Sequence, residues 1–63
     1  MISFIFYNPQ DQQLRLQFEG GEVYDYYLVE SSMGRAAEVA LAGDNPDFFK
    51  TRIKGVYPHR RIA

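Results

Sequence analysis

The stretch Leu14-Arg15-Leu16-Gln17-Phe18-Glu19-Gly20-Gly21-Glu22-Val23-Tyr24-Asp25-Tyr26 decides the fold. Leu14, Leu16 and Phe18 alternate with Arg15, Gln17 and Glu19, and this period of two predicts a strand with one buried face. Gly20-Gly21 interrupts it with two residues that accept positive φ, a tight hairpin signal. Alternation resumes over residues 22–29, with Tyr24, Tyr26 and Leu28 on one face and Val23, Asp25 and Tyr27 on the other. An unpaired carboxylate is costly to bury, so Asp25 marks its own face as solvated and sends Tyr24 and Tyr26 toward the core.

Upstream, residues 2–7 are β-branched and aromatic, and Asn8-Pro9 ends them in a turn. Ile2, Phe4 and Phe6 are expected to join Leu14, Leu16 and Phe18 in the core. That leaves Ile5, Tyr7, Arg15, Val23 and Tyr27 on the opposite sheet face. Downstream, Ser31 or Ser32 can cap a helix in which Met33, Ala36, Ala37, Ala40 and Leu41 form an apolar stripe, and Gly43 ends it. Asn45-Pro46-Asp47 reads as a second helix start, running to about Lys54 and stopping at Gly55, with Phe49 and Ile53 as its buried stripe. The expectation is one α+β domain over residues 1–63: a three-stranded antiparallel meander followed by two short helices packed on one face, in the order β-β-β-α-α.

Composition narrows the function classes. The chain has 63 residues, 46% of them apolar, with five Tyr, five Phe and no cysteine. Disulfides and thiolate metal sites are therefore excluded. A chain of this size buries only about 60% of its unfolded surface, so self-association or a partner is a natural further source of stability. Residues 1–7 lack the basic flank and the length of a signal peptide, and no stretch reaches the ~20 apolar residues of a membrane span. With Met1 at the start, the expectation is a complete small cytoplasmic protein that does not enter membranes.

Charge is segregated. All eight acids lie in the first 47 residues, whereas five of the seven basic side chains, Lys50, Arg52, Lys54, Arg60 and Arg61, lie after them, together with His59. A net charge of -1 thus hides a basic end able to steer an anionic partner.

Taken in order, Phe6-Tyr7-Asn8-Pro9, the strand and turn from Leu14 to Gly21, Tyr24-Asp25-Tyr26, Val29, Phe48-Phe49, Ile53-Lys54, Tyr57-Pro58 and Arg60-Arg61 resemble the pattern of the KTSC domain. That family is a short module found at the C-terminus of some lysyl-tRNA synthetases and as a stand-alone bacterial or phage protein. The chain departs from it at Asp44-Asn45-Pro46, where relatives commonly have Ser-x-Gly, and at Lys50, where they often have Asn. The resemblance implies an α+β fold and an RNA-binding role, and singles out Tyr24 and Tyr26 as motif residues.

The basic segment supplies the leading functional expectation: a non-catalytic module that binds nucleic acid, RNA above all, through Lys50, Arg52, Lys54, Tyr57, His59, Arg60 and Arg61. Cations neutralise phosphates and aromatic faces stack on unpaired bases. The competing account is a solvated helix end, where cations favour the dipole anyway. Tyr24 and Tyr26 can stack bases or simply fill the core. The face carrying Ile5, Tyr7, Arg15 and Tyr27 is the alternative site, for a protein partner or a second copy, since clustered exposed apolar area marks interfaces. Catalysis has thin support, because His59 is the only histidine and a triad would need Ser3, Ser31 or Ser32 to reach it. Asp44, Asn45 and Asp47 lack the glycine and closing glutamate of a calcium loop. Neither a cofactor nor a metal is expected.

Overall fold

Four strands and two helical segments follow one another in a computed structural model that describes residues 2–43 and 45–63; the readings placed on Met1 and Asp44 lie outside the described residues. The elements are β1 (Ile2–Asn8), β2 (Gln13–Phe18), β3 (Val23–Tyr26), α1 (Ser31–Ala42), α2 (Pro46–Phe48) with a π-helical continuation over Phe49–Ile53, and β4 (His59–Arg61). The strands form one antiparallel sheet in the order β1-β2-β3-β4. The fold is α+β as expected, and the meander gains a fourth strand from the basic C-terminus.

The hairpin forms where the glycines stand. Gly21 adopts φ 96°, its N–H reaches the Phe18 carbonyl at 2.9 Å, and Phe18 N–H returns to the Glu22 carbonyl at 2.9 Å. The third strand is shorter than the alternation suggests. Leu28 takes φ 61° and is 68% exposed, so it leaves the Tyr24/Tyr26 face and Val29 is buried instead. Non-glycine residues rarely hold positive φ; here two backbone bonds flank the kink, Tyr27 N–H to Pro58 O and Val29 N–H to Gln12 O, each 2.8 Å.

β1 is turned over relative to its expected face. The pairing slips between Ile2 and Phe4, after which Ile5 faces Leu16 and Tyr7 faces Leu14 across the sheet. A bulge moves every later side chain to the other face. Tyr7 is therefore in the core with Leu14, Leu16, Tyr26, Val29, Ala37, Leu41 and Ile53, and Ile5 packs against them. Phe4 and Phe6 stand outside, each 52% exposed. The inversion is held by Tyr7, whose hydroxyl donates to the Val29 carbonyl at 2.5 Å. Its ring lies on Gly34, where an added Cβ would stand 2.4 Å from ring atoms.

Asp25 does point to the open face, yet it is 2% exposed. Arg15 donates to it from Nε at 2.6 Å and from Nη2 at 2.8 Å, and Gln13 Nε2 donates at 2.7 Å. The carboxylate holds the Arg15 guanidinium above its already high pKa through these bonds and its charge. Burial of Asp25 is thus achieved by pairing, not by solvation.

Helix boundaries follow local chemistry with one exception. Asn45 caps the second start, its Oδ1 accepting from Phe48 N–H at 3.3 Å. At the other helix neither Ser31 nor Ser32 is the cap. Both lie inside α1, with Glu30 at the cap position and no side-chain cap bond. Glu30 serves elsewhere: Tyr57 Oη donates to its Oε1 at 2.5 Å and ties the C-terminal turn to the start of α1. That bond is the main reason the Tyr57 phenol is pushed up to about 12.

Three outcomes follow from this packing. Gly34→Ala should destabilise the domain by about 1–3 kcal/mol, because Tyr7 cannot move without giving up its bond to Val29. For a domain this small that is several degrees in melting temperature at least; an unchanged melt would contradict the seating of Tyr7. Arg15→Ala should lower the melting temperature more than the double change Arg15→Ala/Asp25→Asn, since only the single variant strands a buried carboxylate. Equal losses would show that Asp25 finds another partner. Finally, folding raises the pKa of the Tyr57 phenol, so its stabilisation is complete below about pH 10 and is lost as pH climbs toward 12. The stability gap between wild type and Tyr57→Phe, measured by denaturant titration, should close across that window and be fully open at neutral pH.

Candidate nucleic-acid interface

The period of two in β4 sorts the basic C-terminus. In the β3–β4 ladder Tyr26 faces His59, Asp25 faces Arg60 and Tyr24 faces Arg61. Successive side chains of a strand point to opposite faces. His59 and Arg61 therefore share the helix-side face with Tyr24 and Tyr26, whereas Arg60 lies on the open face beside Asp25. Nothing in His-Arg-Arg carries a strand signal; its pairing rests on the backbone. Tyr27 N–H reaches Pro58 O, Ile62 N–H reaches Val23 O at 2.7 Å, and Val23 N–H reaches Ala63 O at 3.1 Å.

Aromatic rings collect at this end of the sheet. The His59 imidazole stacks on Tyr26 with centroids 5.3 Å apart and planes 29° apart, and tilts toward Tyr24 at 5.9 Å. Phe49 meets Tyr26 edge-on at 6.0 Å and Phe18 at 5.4 Å, and Phe18 meets Tyr24 at 5.8 Å. Edge-to-face pairs of this kind add about 0.5–1.5 kcal/mol each beyond their burial. Phe49 opens the segment in which the helix widens. Lys54 N–H bonds to the carbonyl of Phe49, five residues back, at 2.8 Å. Such π-helical turns recur at functional sites.

These rings wall an open cleft of about 350 Å³, with Glu22, Lys54 and His59 at its polar positions. Tyr26 is nearly buried, and burial, more than the neighbouring Tyr24, pushes its phenol pKa up. The cleft offers flat apolar walls, donors from Lys54 and the tyrosines, and an acceptor in Glu22. That set suits a planar polar heterocycle better than a bare phosphate, which Glu22 would repel.

The seven basic-segment candidates do not form one patch. Lys54 and His59 line the cleft with Tyr24 and Tyr26, and Arg61 lies on the same sheet face, its Nε bonded to the Ala63 carbonyl at 3.0 Å. Lys50 and Arg52 are exposed on the π-helical segment, the Arg52 guanidinium 5.7 Å from the Phe48 ring centre. Tyr57 is half-buried and engaged with Glu30. The alternative surface is corrected more deeply: Ile5 and Tyr7 belong to the helix side, so of that set Arg15 and the half-buried Tyr27 remain as candidates for the open face, which gains Phe4 and Phe6. The residues that sequence reasoning did not place at the cleft are Phe18, Phe49 and Glu22. Phe18 and Phe49 read as core, correctly in part, because only the β4 pairing reveals that they end at a surface opening.

Among the described residues no group of three or more His, Cys, Asp or Glu gathers to hold a metal ion. No helix of the described residues is long and apolar enough to cross a membrane. No curated protein matches the chain in sequence. The family model described as KTSC domain matches residues 1–57. With the meander, the central Tyr24-Asp25-Tyr26 and the helical layer that follows, the chain belongs to the KTSC domain family.

Proposed function

We propose that this protein is a non-catalytic cytoplasmic module that binds single-stranded nucleic acid, RNA in the first place, at the Tyr24/Tyr26/His59 cleft. One observation carries the reading: the fold brings three aromatic side chains of the sheet, Lys54 and Arg61 to one end of one face. Antiparallel sheets that recognise RNA use aromatic side chains in this way, stacking unpaired bases while cations track the backbone. The reading is narrower than a basic tail acting as a whole. A base stacks against the rings that wall the open cleft, where Glu22 can accept from an exocyclic amine. Phosphates lie outward, toward Lys54 and Arg61. Arg60, on the opposite face, contributes little, and Lys50 and Arg52 supply at most general attraction.

The test is fluorescence anisotropy with labelled single-stranded RNA, single-stranded DNA and duplex DNA at two salt concentrations. Binding should prefer single strands and weaken with salt, with a slope of about −1.4 in log K per log salt for two phosphates engaged. His59→Ala should weaken it roughly 5- to 100-fold through lost stacking. Arg61→Glu should cost clearly more than Arg60→Glu; equal effects would reduce the site to diffuse charge. Flat titrations at low salt would retire the nucleic-acid reading and leave a protein-interaction module, with the half-exposed Phe4 and Phe6 as the observation in its favour.

A further inference from the structure

β1 is an edge strand, paired with β2 on one side only. Its seven residues, Ile-Ser-Phe-Ile-Phe-Tyr-Asn, contain neither a charge nor a proline. Charges and prolines are two of the devices that keep an edge from pairing with another chain. Tyr7 fixes the direction of its free backbone groups, since its N–H points away from β2 and donates to Glu38 Oε2 on α1 at 3.4 Å. Pairing with β2 is regular from Phe4 to Asn8. By alternation the N–H and C=O of Ile5 point outward as well. Alongside this edge a groove of about 360 Å³ opens, lined by Ile2, Ser3, Phe4, Ile5, Leu41 and Ala42.

We infer that β1 pairs antiparallel with β1 of a second copy, across a two-fold axis at Ile5. The axis brings the outward N–H and C=O of Ile5 onto those of Ile5 in the second copy, so two backbone bonds form together. The same register sets Phe4 opposite Phe6 of the second copy in a non-hydrogen-bonded pair, the arrangement in which cross-strand side chains come closest. Phe4 and Phe6, each 52% exposed in the single chain, then cover their counterparts on the open face. The strand is self-complementary and neutral, which favours a second copy over a charged partner. Two features keep the contact weak. The bulge after Ile2 disturbs the ladder beyond Phe4, and Glu38 already holds the Tyr7 N–H. Covering the exposed halves of four phenyl rings removes on the order of 400 Å² of apolar surface, well short of the ~1,200 Å² at which standard stable interfaces begin. The dimer is therefore weak and reversible, and concentration is what populates it.

Because the chain has no cysteine, introduced thiols report the register directly. Phe4→Cys protein mixed with Phe6→Cys protein under a mild oxidant should cross-link several-fold faster than either variant alone. Positions 4 and 6 face each other at a Cα separation of about 4.5 Å, within disulfide reach, while 4 and 4 are more than about 7 Å apart. In sedimentation velocity the wild type should shift toward twice its mass with concentration, and Phe6→Lys, verified as folded by circular dichroism, should not. A wild type that stays monomeric to about 1 mM, or a mixture that cross-links no faster than its components, overturns the inference. Neither position touches the cleft, so this test stands apart from nucleic-acid binding.

Discussion

The seating of Tyr7 fixes what surrounds it. Its hydroxyl needs an acceptor, because a phenol left unpaired in the core forfeits about 1–3 kcal/mol, and the carbonyl it reaches is that of Val29. Val29 reaches that place because the chain turns out of the sheet at Leu28, directly after the Tyr27 N–H bond to Pro58 O that continues the β3–β4 ladder. Its ring in turn demands a residue without Cβ on the facing turn of α1, and Gly34 supplies it. One side chain thus ties the faces of β1, the turn that follows β3 and the approach of the helix. Glycine in a helix interior costs about 1 kcal/mol in propensity, so its presence in α1 is intelligible only through this contact.

The meander was legible because its signal is local. Alternation from Leu14 to Phe18, Gly20-Gly21 and the resumed Tyr-Asp-Tyr pattern each depend on neighbours in sequence. What was not legible depends on distant partners. No property of residues 2–7 distinguishes Phe4/Phe6 from Ile5/Tyr7 as the buried set, since all are apolar or aromatic; a hydroxyl acceptor 22 residues away makes the choice. Asp25 misleads for a related reason. Alternation fixes its face but not its burial, because Arg15 and Gln13, both on β2, supply partners that solvent would otherwise provide. β4 is the extreme case, three polar residues that become a strand only because β3 offers an unpaired edge. The candidate site inherits that difficulty. Tyr24 and Tyr26 could be named from the motif, but their companions Phe18 and Phe49 become site residues only after β4 and the π-helical turn are in place.

Splitting a basic run across two faces has an electrostatic consequence. As one patch, the five C-terminal cations would repel one another and attract polyanions without discrimination. In the folded chain Arg60 lies next to buried Asp25, and Arg52 covers Phe48. What remains at the cleft is a mixed site, with Lys54 and His59 against Glu22. A mixed site is a poor phosphate trap and a better reader of hydrogen-bonding edges, because each wrong partner leaves a polar group unpaired. Strong general attraction and recognition of a flat polar ring make opposite demands on charge, and this arrangement favours the second.

The two edges of the sheet carry the two surfaces, and their separation matters. β4 borders the aromatic cleft, whereas β1 lies three strands away. A dimer joined at β1 would leave both clefts open at the far ends of one eight-stranded sheet. With strands about 4.8 Å apart, seven intervals place the two β4 edges roughly 34 Å from each other, shortened somewhat by sheet twist. A ligand that placed a single ring in each cleft would hold only modestly at either one. One flexible strand engaging both clefts would gain through effective concentration what neither contact has alone. In that arrangement weak pairing at β1 is an advantage, because a ligand bound at both ends stabilises the dimer by the same free energy with which the dimer strengthens the ligand's hold.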